Sequence, residues 1–506
     1  MYTGRVVWEL LAAPVRIEPD HSTLHPCVPH TVLKGETVDE FDLVVIGGGS
    51  AGLKAARTAA KLGRKVALAE ERELGGECFW AGCVPTKALV RAAQVWHLVR
   101  GAHEFGIYAE IKKTNFADAM RYKERVIKAV GGEGPSDAGL SGLGAAYYPS
   151  RATFEGAHDV RLGNRVIRGR QIVVATGTVP AIPLIPGLAD AGYITNREAV
   201  HLTSLPRRLV VLGGGPIGLE FAQVFRRFGA TVTVVEKHTQ IMPREDVEVS
   251  ELAAEFLRQE GIRIVTSAHV ERVERSDDGR RQEKCVVVRT AEGTEGLICD
   301  EILVATGREA AVEGLNIEAA GLDAERKCIH TDHYLRTNVR HIWAAGDIAG
   351  GYLFTHVASY EGKLAAMNAF ADQPEPFDHR VVPRCTYIDP EVASIGVTEQ
   401  EARTGGRKVT SCTFHFSNLD RAIIHNDARG VVKLVLDELD GQILGGHVIG
   451  PDASSIIAEI AICMRHHLPV TAIADTIHAY PSFPEAVEAA ALRATSFRGQ
   501  VDGATV

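Results

Sequence analysis

Long apolar runs, excess positive charge and densely spaced cysteine are all missing from this chain of 506 residues, and each absence removes a class of protein. The N-terminal stretch MYTGRVVWELLAAPVRIEPD is apolar only in a patch interrupted by Glu9 and closed by Pro14. It is too short and broken for a membrane span or a secretory signal core, and no later stretch comes nearer. The formal net charge of -9 gives no overall attraction to nucleic acid. Nine cysteines, at positions 27, 78, 83, 285, 299, 328, 385, 412 and 463, form an odd and scattered set, unlike the framework of a small secreted domain. We therefore expect a cytoplasmic protein whose partners include neither membrane nor nucleic acid. What is present is a globular balance, 45% hydrophobic and 24% charged, on a chain long enough for about three domains.

Residues 1–40 carry His21, His25, Cys27 and His30 at spacings that match no common metal-ligand pattern, so this segment reads as a surface extension without a metal. Organisation begins at Phe41. The run FDLVVIGGGSAGLKAARTAAKLGRKVALAEE predicts a buried strand over 43–46, a helix over 51–62 and a second strand over 65–69 ending in Glu70. Gly47, Gly49 and Gly52 form GxGxxG between strand and helix, the context of a dinucleotide fingerprint. In that motif the first glycine makes the tight turn, the second admits a pyrophosphate to the backbone, and the third lets the helix lie close on the strand. Glu70 stands where a carboxylate accepts hydrogen bonds from ribose hydroxyls.

The pattern is written twice. LVVLGGGPIGLEFAQVFRRFGATVTVVEKH repeats it with Gly213, Gly215, Gly218 and a terminal Glu236. Two such units suggest two dinucleotides and electron transfer between them. Two strand-ending runs also echo each other, Ala175-Thr176-Gly177 and Ala305-Thr306-Gly307, and a later strand delivers Gly346 and Asp347. Pro180, Pro183 and Pro186 mark a linker before the second fingerprint. This order is that of one nucleotide domain inserted in another. Beyond Arg380 short strand-like runs with turns at 427–430 and 440–441 precede an apolar helix over 454–465, a pattern of an α+β domain with a largely antiparallel sheet.

After the first fingerprint comes GGECFWAGCVPTK, Gly75 to Lys87, with four residues between Cys78 and Cys83. A structural zinc would need further ligands nearby, and inert buried thiols are the other bland reading. With both fingerprints, ATGR at 305–308, AAGD at 344–347 and YIDPEVASIGVTEQEA at 387–402 in this order, the chain resembles the pyridine nucleotide-disulfide oxidoreductases over about 41–495. That group contains glutathione reductase, dihydrolipoamide dehydrogenase and mercuric reductase.

The resemblance implies an α/β fold of two Rossmann-like domains plus a C-terminal α+β dimerisation domain. It divides the chain into an extension (1–40), an FAD domain (41–186 and 311–380), an NAD(P) domain (187–310) and an interface domain (381–506). It implies a homodimer with active sites shared between subunits, and the cofactors FAD and NAD(H), with NADP(H) as the alternative. Cys78 and Cys83 become a redox-active disulfide at the start of a helix, whose N-terminal end stabilises a thiolate. Cys83 faces the flavin, Cys78 attacks the external substrate, and Lys87 lies beside the flavin paired with Glu220. Asp347 serves the ribityl chain, with Thr355 and His356 near the isoalloxazine, and Glu70, Thr176 and Gly177 complete the FAD set. Glu236 and Gly307 belong to the NAD(P) set, and Glu236 favours NADH over NADPH, although Lys237, His238 and Arg244 lie near it.

The sequence departs from the family in two places. Ala310 and Ala311 replace the customary Pro-Asn after Arg308. The run HAYPSFPE puts Tyr480 where disulfide reductases carry a histidine base, with Glu485 five residues on and His478 two residues early. Tyrosine there is similar to mercuric reductases, yet no vicinal cysteines close the tail, and Pro216 stands where some of them place a second tyrosine. Interface packing is the bland role for Tyr480. The expected activity is a mercuric reductase-like transfer of electrons from NAD(P)H through Cys78-Cys83 to a small disulfide, a metal ion or another oxidant. A dihydrolipoamide dehydrogenase and a redox-sensing flavoprotein are the alternatives.

Overall fold

Apolar runs at 43–46, 209–212 and 302–304 each become a buried parallel strand. The computed structural model describes residues 38–131, 138–277, 282–325 and 328–502; His21, His25, Cys27 and His30 lie outside them. The strand Asp39–Ile46 buries its last four residues completely or nearly so, as a central parallel strand must. It runs parallel to Val66–Glu70 on one side and Arg165–Val174 on the other. Ala146–Pro149 and Ile342–Ala344 continue the parallel pairing, and Asp159–Leu162 and Ala152–Phe154 add antiparallel strands to complete seven.

Between the sixth strand of that sheet in chain order, Arg165–Val174, and the seventh, Ile342–Ala344, the chain builds a second sheet. Its four parallel strands lie in the order Arg263–Val265, Thr231–Val235, Arg208–Leu212, Glu301–Val304. A three-stranded antiparallel ribbon from 269 to 299 accompanies it. The chain leaves for this unit and returns from it through one antiparallel pair, Thr178–Pro180 against Arg308–Ala310. One Rossmann-like domain is thus inserted in the other.

The last sheet is antiparallel throughout, in the order Arg384–Thr386, Glu391–Gly396, Ile443–Gly450, Val431–Asp437, Val409–His415. The helix Ala453–Arg465 buries Ile456, Ile457, Ile460, Cys463 and Met464, the stripe that a helix lays on a sheet. The predicted helices and strands are present with ends shifted by up to four residues, since the chain pairs wherever backbone partners continue. The strand Arg384–Thr386 was not predicted: Pro383 and Arg384 hide a three-residue edge strand.

One helix ties these units together. Pro216–Phe228 starts at the second fingerprint, and its residues Glu220, Gln223 and Arg227, spaced by three and four, share a face. Gln223 donates to the Asp389 carbonyl and accepts from the Asp389 N–H, both at 2.8 Å. The fully buried Arg227 pairs with Glu260 at 2.7 Å and Asp389 at 2.8 Å. Removing one partner of a buried ion pair strands the other charge. Arg227→Leu is therefore expected to cost about 3–5 kcal/mol, read as a lower urea midpoint at unchanged m-value; a loss below about 1 kcal/mol would contradict this accounting.

Candidate active site

The two fingerprints fold into the same turn. Gly47, at φ 106°, lies so close to the Ala175 carbonyl that an added Cβ would stand 2.3 Å from its oxygen, and Gly213, at φ 107°, repeats this against Ala305, also at 2.3 Å. The echoed Ala-Thr-Gly runs are therefore the floors on which the two turns rest. Gly52 and Gly218 press on the carbonyls of Gly47 and Gly213 at 1.8 and 2.1 Å from an added Cβ. The middle glycines differ: a Cβ on Gly215 would meet nothing within 4 Å, and one on Gly49 only Gly76 at 3.9 Å. That open approach at a helix N-terminus suits a pyrophosphate.

Each acid braces its own turn. Glu70 accepts from the Gly48 N–H at 2.6 Å and the Arg72 N–H at 2.8 Å. Glu236 accepts from Gly214 N–H at 2.7 Å, His238 N–H at 2.9 Å and the His238 ring at 2.6 Å. A carboxylate has about four acceptor sites, so capacity remains for ribose hydroxyls. The Thr176 hydroxyl is buried without a hydrogen-bond partner among the described residues; with the open face of Gly49, it fits this site to FAD. Gly177 and Gly307 take positive φ, 70° and 125°.

Cys78 and Cys83 do not share a helix, contrary to the expectation. Cys78 lies in the short helix Gly76–Trp80, and Cys83 is the first residue of Cys83–Gly101. Gly82 between them allows the fold-back, for a Cβ there would stand 2.9 Å from the Glu77 carbonyl oxygen and 3.1 Å from the Cys78 Cα. Both thiols are free and each acts on the other's proton. The neighbouring Cys78 thiol holds Cys83 down to about 6, with burial opposing and Thr355 and the Lys87 charge adding to the effect. Cys78 is pushed well up, first by Cys83 and then by burial. Thr355 Oγ1 lies 3.2 Å from Cys83 Sγ, and His356 is turned to the Pro383 carbonyl at 2.8 Å.

Behind the thiols, Lys87 Nζ donates to both oxygens of Glu220 at 2.9 and 2.7 Å. On the other side Asp347 accepts from Thr178 Oγ1 at 3.0 Å and stands 4.0 Å from Arg308, and burial raises its carboxyl. Arg308 also donates to Thr178 and pairs with Glu77 at 3.5 Å.

Three residues of this surround were not found from sequence. Glu77 is gripped by Asn196 and Arg197, both at 2.8 Å; burial works to raise its carboxyl, and these partners with Arg308 outweigh it. Glu361 accepts from the Gly346 N–H at 2.7 Å and is raised to about 8 by burial, with Asp347 adding and that N–H opposing. Asp420 belongs to the tail described next. The acid beside the first cysteine was the one visible signal, since Glu77 lies within the quoted motif.

Tyr480 stands apart from the thiols within this chain. Its side chain is exposed and its hydroxyl donates to Asp420 at 2.7 Å, which raises its pKa. Glu485 accepts from the Ser482 N–H at 2.5 Å at the start of its own helix, so the expected glutamate is not the hydroxyl's partner. The His478 side chain is 6% exposed, with one ring nitrogen 2.9 Å from Glu459 and the other 2.9 Å from the Thr476 carbonyl and 3.5 Å from Glu488.

The family described as pyridine nucleotide-disulphide oxidoreductase matches residues 41–362, and its dimerisation domain matches 382–491. The chain belongs to this family. It is 34% identical over 90% of its length to a dihydrolipoyl dehydrogenase of Bacillus subtilis, of which 98% is covered. It is 31% identical to a mercuric reductase of Bacillus cereus, covering 90% of this chain and 71% of the other. The Cu(II) complex of the HOCl-induced flavoprotein disulfide reductase RclA from Escherichia coli superposes with a TM-score of 0.77 at 31% identity, covering 88% of this chain and 98% of that one. This oxidoreductase is accordingly an FAD-dependent enzyme that uses NAD(P)H and carries a dimerisation domain. Among the described residues no helix is long and apolar enough to cross a membrane.

Two outcomes follow for this oxidoreductase. Two-electron reduction should bring a long-wavelength absorbance from a thiolate against oxidised flavin; Cys83→Ser should abolish it and Cys78→Ser should retain it, and the reverse pattern would exchange their roles. The Glu236 carboxylate repels a 2'-phosphate, so kcat/KM should favour NADH over NADPH by roughly tenfold or more; equal values would show that Lys237 and His238 cancel its charge.

Proposed function

We propose that this enzyme passes electrons from NADH to the Cys78-Cys83 pair and on to an acceptor that thiols reduce without an adjacent imidazole base. A thiophilic metal ion or a quinone-type oxidant fits that description. Bound FAD supplies the two-electron relay between nicotinamide and thiols. Cys83 is the flavin-facing sulfur, Cys78 the sulfur that meets the acceptor, and Lys87 with Glu220 stands beside the flavin. The working unit is a cytoplasmic homodimer, with 41–186 and 311–380 holding FAD, 187–310 holding the nicotinamide nucleotide and 381–506 forming the interface.

The observation that carries this reading is the state of the tail. Dithiol exchange needs a group that takes and returns a proton near neutral pH. Tyr480 is committed to Asp420 with its pKa raised, and His478 has both nitrogens engaged. The Cu(II) complex of one relative and the mercuric reductase name of another support a metal acceptor. The dihydrolipoyl dehydrogenase relatives support the competing reading.

Dihydrolipoamide oxidation should therefore run about 10² to 10⁴ below the rate of NADH oxidation by a quinone acceptor. Tyr480→His should raise the dithiol reaction selectively while leaving the quinone reaction unchanged. Wild-type dihydrolipoamide turnover matching the quinone rate, or a flavin-loaded Tyr480→His that gains nothing, would contradict the proposal.

A further inference from the structure

The Lys87–Glu220 pair has a third member. The segment Tyr387-Ile388-Asp389 enters from the dimerisation domain, and three successive residues of it are fixed. The Tyr387 backbone N–H donates to Glu220 Oε1 at 3.0 Å. Ile388 is buried in the core cluster that includes Leu89 and Phe221, and Asp389 is locked by Gln223 and Arg227. Held this way, the Tyr387 ring lies under the Lys87 ammonium, Nζ 4.8 Å from its centroid, within cation–π range.

The far end of the ring lies near the Cys385 thiol, and the two groups perturb each other. Burial pushes the Tyr387 hydroxyl up to about 12, and the charges of Cys385, Glu391, Glu220 and Cys83 add to that. The phenol thus stays protonated across the working range and is no proton acceptor. Its available contribution is geometric. Without it, the Lys87 side chain, about one third exposed, would be anchored to Glu220 alone and free to swing on its four-carbon stem.

We propose that Tyr387 is a positioning residue whose ring and backbone N–H together hold the Lys87–Glu220 pair in register with the redox-active thiols. The interface domain thereby reaches into both nucleotide domains at the point where the Lys87 charge acts on Cys83. The proposal rests on Cys83 being the flavin-facing thiolate. The charged and titratable groups around Cys83 are Cys78 from the preceding short helix, Lys87 from its own helix, Glu220 from Pro216–Phe228 and Tyr387 from the interface segment, with the Thr355 hydroxyl beside it.

The test is a pH titration of the long-wavelength absorbance in the two-electron-reduced holoenzyme. Tyr387→Leu keeps the backbone N–H and removes the ring face. Its midpoint should rise by about half a pH unit or more, a threefold change in the thiolate-to-thiol ratio. Tyr387→Phe keeps the ring and should stay within about 0.2 unit of wild type. Tyr387→Met is made in parallel, so that loss of flavin from the leucine variant leaves a ring-free protein to read. A midpoint in the ring-free variants equal to wild type would overturn the proposal. So would a Tyr387→Phe shift as large as theirs, which would assign the effect to the hydroxyl and Cys385. Absence of the absorbance from wild type would instead overturn the assignment of Cys83 and this proposal with it.

Discussion

A buried carboxylate with one cation to satisfy it fixes much of this molecule. The Glu220 side chain is 4% exposed and its partner Lys87 comes from a helix of the FAD domain, at 2.7 Å. A buried charge left without its partner costs several kcal/mol, so the inserted domain docks on the cysteine helix in the register that makes this pair. The helix that carries Glu220 begins at the second nucleotide turn and continues through Gln223 and Arg227 into the dimerisation segment. The second glycine turn, the partner of Lys87 and the contact to the dimerisation segment thus lie on one helix.

The same pair has chemical weight because it lies beside Cys83. Lys87 favours the thiolate and Glu220 opposes it, with the neighbouring Cys78 thiol the largest influence in favour. Thr355, at the start of the helix Thr355–Asn368, adds a hydroxyl at 3.2 Å. The acceptor side is organised differently. There Tyr480 is bound to Asp420 and His478 to Glu459, the local contacts on which the proposed choice of acceptor rests.

The frame was legible in the sequence because its signals are local. Strand, glycine turn, helix and acid recur within about thirty residues, and Gly47 and Gly213 take the conformations the motif requires. Cys78, Cys83, Lys87 and Glu220 were named from motif position and are brought together in space. What was not legible depends on contacts across the chain. Glu77 meets Asn196 and Arg197 more than a hundred residues away, Tyr480 meets Asp420 across sixty, and Tyr387 reaches two other domains. The break between the two cysteine helices is a fourth case, and a local one. It depends on Gly82 packing against Glu77 and Cys78, a contact that a motif string does not display.

The central claim is that two opposed charges at the junction of the domains tune the Cys83 thiolate. The most direct measurement is the pH midpoint of the thiolate absorbance in Lys87→Met and Glu220→Gln enzymes that retain flavin. Removing the cation should move the midpoint up, and removing the carboxylate charge with Lys87 still present should move it down. Two shifts in the same direction, or none in either enzyme, would contradict the account.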